Sequence, residues 1–126
     1  MKRFYLGLGI LTVFLAMGLW FGFQMEGLHE ELSQTLDQAA QTALAGDTTD
    51  AMALAVSAQA QWEKAWPKIA ALADHSPMDE IDALFSQTLA YARAGSTADF
   101  ITHCSRLARL VAAVGEAHTL TWWNLL

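Results

Sequence analysis

Residues 4–23 read FYLGLGILTVFLAMGLWFGF and contain no charged side chain. As an α-helix rising about 1.5 Å per residue, this run extends roughly 30 Å, the thickness of the hydrocarbon core of a bilayer. The run therefore predicts a transmembrane anchor at residues 1–24. It divides the chain into that anchor and a remainder, residues 25–126, which we expect to form a small domain held at the membrane surface.

The charges beside the apolar run predict its orientation. Lys2 and Arg3 precede it, and the first charge after it is Glu26. Cytoplasmic flanks carry an excess of Lys and Arg, so we expect a single-pass protein of the cell membrane with a cytoplasmic N-terminus and an extracytoplasmic domain. A cleaved secretory signal has a similar pattern. We favour an uncut signal anchor, because cleavage after Gly18 would leave an apolar new terminus, but the sequence leaves cleavage open.

Composition bounds what the remainder can be. About one hundred residues are enough for one domain. They carry five Lys and Arg against thirteen Asp and Glu, which argues against nucleic acid or an anionic lipid surface as partner. The single cysteine, Cys104, excludes an intrachain disulfide and is expected to be a buried, unreactive thiol. No catalytic or cofactor motif is recognisable, so we predict no cofactor and no enzymatic activity.

Apolar residues recur at steps of three and four in four segments, which predicts helices at about 24–45, 49–73, 77–94 and 98–118. The first of these is expected to run on from the anchor. Pro67 predicts either a kink near residues 61–66 of the second helix or two helices that meet there, and we favour a single kinked helix because the apolar period continues to Leu72. The expected buried faces are Leu28, Leu32, Leu36, Ala39, Ala40 and Ala43, then Met52, Ala55, Ala58, Trp62, Ala65 or Trp66, Ile69 and Leu72, then Ile81, Leu84, Phe85, Leu89 and Ala92, and finally Phe100 or Ile101, Cys104, Leu107, Val111 and Val114.

The loops between these helices predict the fold class. Residues 45–50 (AGDTTD) and 94–99 (AGSTAD) are similar, and each has a glycine where a helix ends and a capping residue where the next begins. Short loops place consecutive helices side by side. The chain is predicted to be all-α, with a single N-terminal transmembrane helix followed by an antiparallel four-helix bundle built of two helical hairpins.

That topology returns the fourth helix towards the bilayer. Residues 119–126 read TLTWWNLL, and paired tryptophans followed by leucines are typical of an interfacial anchor. The alternative is a tail that folds onto the bundle and covers the groove between its first and last helices. We favour the docked tail slightly, because free-standing membrane contacts of this kind are rarer.

Three short motifs accompany this architecture: Trp62-Glu63, the His75-Ser76 pair that leads to Asp79-Glu80-Ile81-Asp82, and Asn124-Leu125-Leu126. With them the chain resembles an uncharacterised family of short, N-terminally membrane-anchored helical proteins of Gram-positive bacteria, a domain of unknown function. The resemblance covers nearly the whole length. It implies a membrane-anchored helical architecture in a bacterial protein, and it brings no activity and no functional residues.

The histidines are the residues most able to carry binding chemistry. His75 and Asp79 have the i, i+4 spacing of helical metal ligands, and His103 is a weak third candidate. A helix begins between His75 and Asp79, so they need not share a face, and we predict a capping or hydrogen-bonding role for His75. His29 and His118 are expected at the surface. The sequence thus predicts no metal site beyond these weak candidates.

Two functions follow as hypotheses. The first is a membrane-tethered extracytoplasmic interaction or adaptor protein, which docks on another membrane or envelope protein through a surface near Trp66, Trp122 and Trp123. The second is a small-ligand or metal-binding sensor domain at the membrane surface, in which the weak candidate ligands converge. The absence of catalytic motifs and the presence of an anchor favour the adaptor.

Overall fold

The structure, a computed structural model, describes residues 1–70 and 76–123. It is all-α over these residues. The four helices are α1 (Lys2–Leu44), α2 (Thr48–Ala70), α3 (Ser76–Arg93) and α4 (Thr97–Trp123).

The apolar run and the first predicted bundle helix form one unbroken helix, α1. The expected boundary at residue 24 falls inside this helix, which continues through it to Leu44. Before that boundary most of the large side chains are exposed: Phe4, Phe14 and Trp20 expose 69%, 69% and 68% of their surface, while Phe21 is half-buried. Among the described residues, α1 is the one helix long and apolar enough to cross a membrane.

Two core clusters hold the helices together, and each takes residues from all four. The alanine-rich cluster comprises Ala39, Ala40, Ala43, Ala51, Ala55, Leu89, Phe100 and Cys104. The tryptophan cluster comprises Leu32, Leu36, Ala58, Trp62, Ala65, Met78, Ile81, Leu84, Phe85, Leu107, Ala108, Val111 and Val114. The first cluster joins the ends of α1 and α3 to the starts of α2 and α4, so it lies beside the loops at 45–47 and 94–96.

Contacts between helices follow their order in the chain. Each helix packs against the next, and α1 also packs against α4. The predicted apolar stripes are confirmed where the structure describes them, since their members are buried or, at Leu28, Met52 and Ala92, half-buried. The side chain of Ile69 and all of Leu72 lie outside the described residues.

The two described loops share one geometry. Gly46 and Gly95 have φ of 95° and 75°, a left-handed conformation that costs glycine little because it has no Cβ. In each loop the residue after the glycine donates its N–H to the carbonyl oxygen five residues earlier, at 3.2 Å and 3.0 Å. This Schellman arrangement satisfies carbonyls at the ends of α1 and α3. The glycine stops predicted from the repeated turn are therefore confirmed.

Helix starts also follow the local chemistry. The Asp47 carboxylate accepts a hydrogen bond from the Asp50 N–H at 3.0 Å, as an N-cap does, and Ser96 donates its hydroxyl to the Asp99 carboxylate. α2 continues through Pro67 to Ala70, so the preference for one helix over two is confirmed, while the kink stays a prediction.

The end of α4 differs from expectation. The predicted helix stopped at residue 118, yet α4 continues to Trp123. Residues 116–123 contain neither glycine nor proline, and Gly115 sits inside the helix without ending it. The predicted separate tail at 119–126 is thus helical over its first five residues.

Candidate functional site

The structure does not bring Asp79 and His103 together. Asp79 is exposed in the first turn of α3, whereas the ring of His103 contacts Tyr91 near the end of that helix, with centroids 4.7 Å apart. Asp79 and Tyr91 are twelve residues apart, about 18 Å along a helix. His75 lies outside the described residues. Within the described part, no group of three or more His, Cys, Asp or Glu gathers closely enough to hold a metal ion.

His103 is held by its own helix and by α3. Its Nδ1 lies 2.9 Å from the carbonyl oxygen of Asp99, one turn earlier in α4. A carbonyl is an acceptor only, so this contact assigns the proton to Nδ1. The imidazole therefore links the last turns of α3 to the first turns of α4 through Tyr91.

The prediction that His29 lies at the surface is wrong, because the structure buries it with 3% exposed. The cause is Gly115 on α4, where an added Cβ would lie 2.8 Å from the Cβ of His29. A glycine lets the two helices approach at this point. The sequence did contain a signal, since His29, Leu32 and Leu36 continue the same apolar period along α1.

Cys104 is fully buried in the alanine-rich cluster, as predicted. Removal from water disfavours the thiolate, and burial raises the pKa of the thiol from its ordinary value of 9.0 to about 12. The thiolate is the reactive form, so this cysteine has the surroundings of an inert packing residue.

Trp62 is the aromatic centre of the tryptophan cluster, and Trp66 is a half-buried neighbour. Their ring centroids lie 6.0 Å apart, and Trp62 also lies 6.4 Å from Phe85. Trp66 packs against the cluster with one side and keeps part of its surface accessible. It is therefore both a core residue and a candidate contact residue.

The three candidate interaction tryptophans are on helix ends that point the same way. Trp66 lies near the end of α2, and Trp122 and Trp123 form the end of α4. Both ends are on the side of the tryptophan cluster that faces away from the loops at 45–47 and 94–96. The side chains of Trp122 and Trp123 lie outside the described residues.

An open groove of about 540 Å³ lies along α1 at this same end. It begins beside exposed apolar residues and ends at an acidic one, so it crosses from the apolar segment into the packed part of α1. Its lining is Trp20, Phe23, Gln24, Gly27, Leu28 and Glu31. The sequence analysis did not predict this groove.

Comparisons of the chain with protein-family models, curated proteins and solved structures find no match. The resemblance to a family of anchored helical proteins therefore stays a prediction.

Proposed function

We propose that this protein is a non-enzymatic, membrane-tethered helical adaptor. In this proposal residues 4–23 cross the cell membrane with the N-terminus in the cytoplasm. The rest of α1 forms, with α2, α3 and α4, an antiparallel four-helix bundle outside the membrane. The bundle docks on another membrane or envelope protein.

The observation that carries the proposal is the contrast between the two halves of one helix. The apolar first half of α1 buries none of its most apolar stretch inside the protein, whereas the second half supplies core residues such as Leu32 and Leu36. Soluble monomers rarely expose contiguous apolar surface larger than a few hundred Å². A bilayer covers such a surface, and the helix has the length it requires.

Orientation and attachment rest on the flanking charges. Lys2 and Arg3 precede the apolar segment, and the bundle carries the acidic excess. The Lys and Arg before the segment, with none after it until Lys64, support a cytoplasmic N-terminus. A signal sequence shares the length and composition of this segment, so retention of the segment is part of the proposal and is tested separately below.

The groove supports a particular kind of partner. Trp20 and Phe23 offer aromatic surface at the level of the membrane boundary, and Glu31 offers a carboxylate on the water side. A transmembrane helix with apolar side chains and a basic residue just outside the membrane complements this gradient. We therefore expect the partner to be another membrane protein rather than a soluble one.

The test is site-specific photocrosslinking of the full-length protein in its own cells. A photoreactive phenylalanine at Phe23 should capture a recurrent, near-stoichiometric membrane protein that mass spectrometry identifies. The same group at Leu44, exposed beside the loop at the other end of α1, is the matched control and should not capture it. Capture of this chain alone, or equal capture from both positions, would overturn the adaptor proposal.

A further inference from the structure

The end of α4 lies level with the aromatic end of the apolar segment. The close contact of Gly115 with His29 fixes which turn of α4 faces which turn of α1. The two helices run in opposite directions, because the start of α4 packs with the end of α1 in the alanine-rich cluster. Moving along α4 beyond Gly115 therefore means moving along α1 towards its N-terminus.

The lengths of α1 and α4 between this contact and the loop end of the bundle support the alignment. α1 ends at Leu44, fifteen residues after His29, and α4 begins at Thr97, eighteen residues before Gly115. At about 1.5 Å per residue these lengths are roughly 22 Å and 27 Å, which agree to within one turn. The same alignment therefore holds along the whole packed length of α1 and α4.

In the opposite direction, towards the end of α4 and the start of α1, the alignment reaches the apolar segment. Trp122 and Trp123 lie seven and eight residues beyond Gly115, or about 10–12 Å. Trp20 and Phe23 lie six to nine residues before His29, or about 9–14 Å. The last turn of α4 is thus beside the stretch of α1 where the exposed aromatic residues end and the polar residues begin.

From this alignment we propose that the last turn of α4 contacts the bilayer itself. The level of this turn is the level at which Trp20 would meet the headgroup boundary, and tryptophan suits that boundary because indole combines an apolar body with a polar N–H. The proposal rests on the proposed function, because the level of α4 becomes a membrane level only if residues 4–23 span. It adds a second attachment, so that the bundle is held by two helices.

The lipid chemistry follows from charge. Between Glu116 and Trp123 the chain has no Lys, Arg, Asp or Glu and one histidine, His118, and the bundle as a whole carries an acidic excess. Anionic lipid surfaces attract basic segments, which this helix end lacks. The partner we infer is therefore the uncharged glycerol and headgroup region of a zwitterionic phospholipid.

A second contact would restrict how the bundle moves on the membrane. A bundle tethered by one helix can rotate about that helix axis and tilt with it. A second helix end in the same boundary removes much of this freedom, and because α1 is continuous it also fixes the direction in which the groove faces. Docking on another membrane protein would then start from a restricted set of orientations.

Tryptophan quenching in vesicles tests this directly. The full-length chain is reconstituted in phosphatidylcholine whose acyl chains carry bromine near the headgroup end. Replacing Trp20 and Trp66 by Phe leaves the α4 pair and the buried Trp62. Replacing Trp66, Trp122 and Trp123 leaves Trp20 and Trp62, and replacing all four leaves Trp62 as the background. Helix content by circular dichroism confirms that each variant is folded.

We expect the bromolipid to quench a larger fraction of the fluorescence in the variant that keeps Trp122 and Trp123 than in the background variant that keeps only Trp62. The variant that keeps Trp20 should also be quenched more than the background variant. Quenching of Trp20 with only background quenching of the α4 pair would overturn the inference and leave the membrane-spanning proposal standing. Background quenching of both would defeat the proposed span as well. Quenching of the α4 pair without Trp20 would contradict the shared level and also overturn the inference.

Discussion

Gly115 and His29 form a point of close approach between α1 and α4. The Cβ that alanine would add at 115 meets the His29 Cβ at 2.8 Å, and that atom is fixed to the backbone of α1. A flexible side-chain end can move aside, but this neighbour can do so only if the helices separate. The absence of a Cβ at position 115 thus determines how closely α1 and α4 pack.

We expect Gly115→Ala to lower the free energy of unfolding by about 1–2 kcal/mol. Overpacking of a core costs about 1–3 kcal/mol, and the better helix propensity of alanine returns up to about 1 kcal/mol. Gly27→Ala is the matched control, since nothing lies within 4 Å of the Cβ it would add. Urea unfolding of the full chain in lipid nanodiscs measures both. Equal stability of the two variants would contradict the close approach.

Cys104 predicts a pH dependence. Its pKa is raised to about 12 in the folded protein and is near 9.0 when the thiol meets water. Between these values the unfolded state loses a proton that the folded state keeps, so the stabilising contribution is complete below about pH 9 and is lost as pH rises towards 12. The slope from this group is at most about 1.4 kcal/mol per pH unit.

The free energy of unfolding should therefore fall more between pH 7.5 and pH 10 for the natural chain than for Cys104→Ala. Lys and Tyr titrate in both proteins, so the difference between the two falls isolates the cysteine. If both proteins lost the same stability between the two pH values, the thiol would not be buried as the structure places it.

At the scale of elements, a few residues in each loop determine where one helix ends and the next begins. Each of the two described loops combines a left-handed glycine with a polar residue that caps the next helix. The cap matters because the first four N–H groups of a helix have no partner within it. These local contacts, repeated in two places, set where the helices end and begin.

Asp47→Ala should destabilise the start of α2 by about 0.5–2 kcal/mol, because the N–H of Asp50 would lose its carboxylate acceptor at 3.0 Å. Asp47→Asn keeps an acceptor in the same position and should retain most of the stability. Thermal unfolding, monitored by circular dichroism, distinguishes the alanine variant from the asparagine variant. A loss as large for asparagine as for alanine would mean that the capping hydrogen bond is not what Asp47 contributes.

At the scale of the whole molecule, α1 belongs to two environments. Most of the large apolar side chains of its first half are exposed, and its second half packs in the bundle core. No loop separates them, so any tilt of the apolar segment is transmitted to the bundle. If residues 4–23 span the membrane as proposed, the orientation of the bundle is coupled to the tilt of that span.

Retention of residues 1–24 has a direct readout. The protein purified from its own membranes should have the intact mass of the uncut chain and should resist alkaline carbonate extraction. A variant lacking residues 1–24 should be released into the soluble fraction. An intact mass that lacks the N-terminal segment would show that it is a cleaved signal, and the tether would have to be abandoned.

The sequence by itself determined the four helical segments and the two described turns between them, although α4 continues five residues beyond its predicted end. Apolar residues at steps of three and four follow from the 3.6-residue turn, and the glycines at 46 and 95 and the cap at Asp47 act on their immediate neighbours. The apolar run at 4–23 is likewise a matter of composition and length. Such signals are local, so they can be read without knowing what lies across the fold.

The tertiary structure decided what depends on a second helix. His29 was predicted to lie at the surface, whereas the close approach of α4 at Gly115 buries it. The separation of Asp79 from His103 and the alignment of the end of α4 with Trp20 and Phe23 are also distances between elements. They are set by how closely and at which level two helices pack, and the period of a single helix does not contain that information.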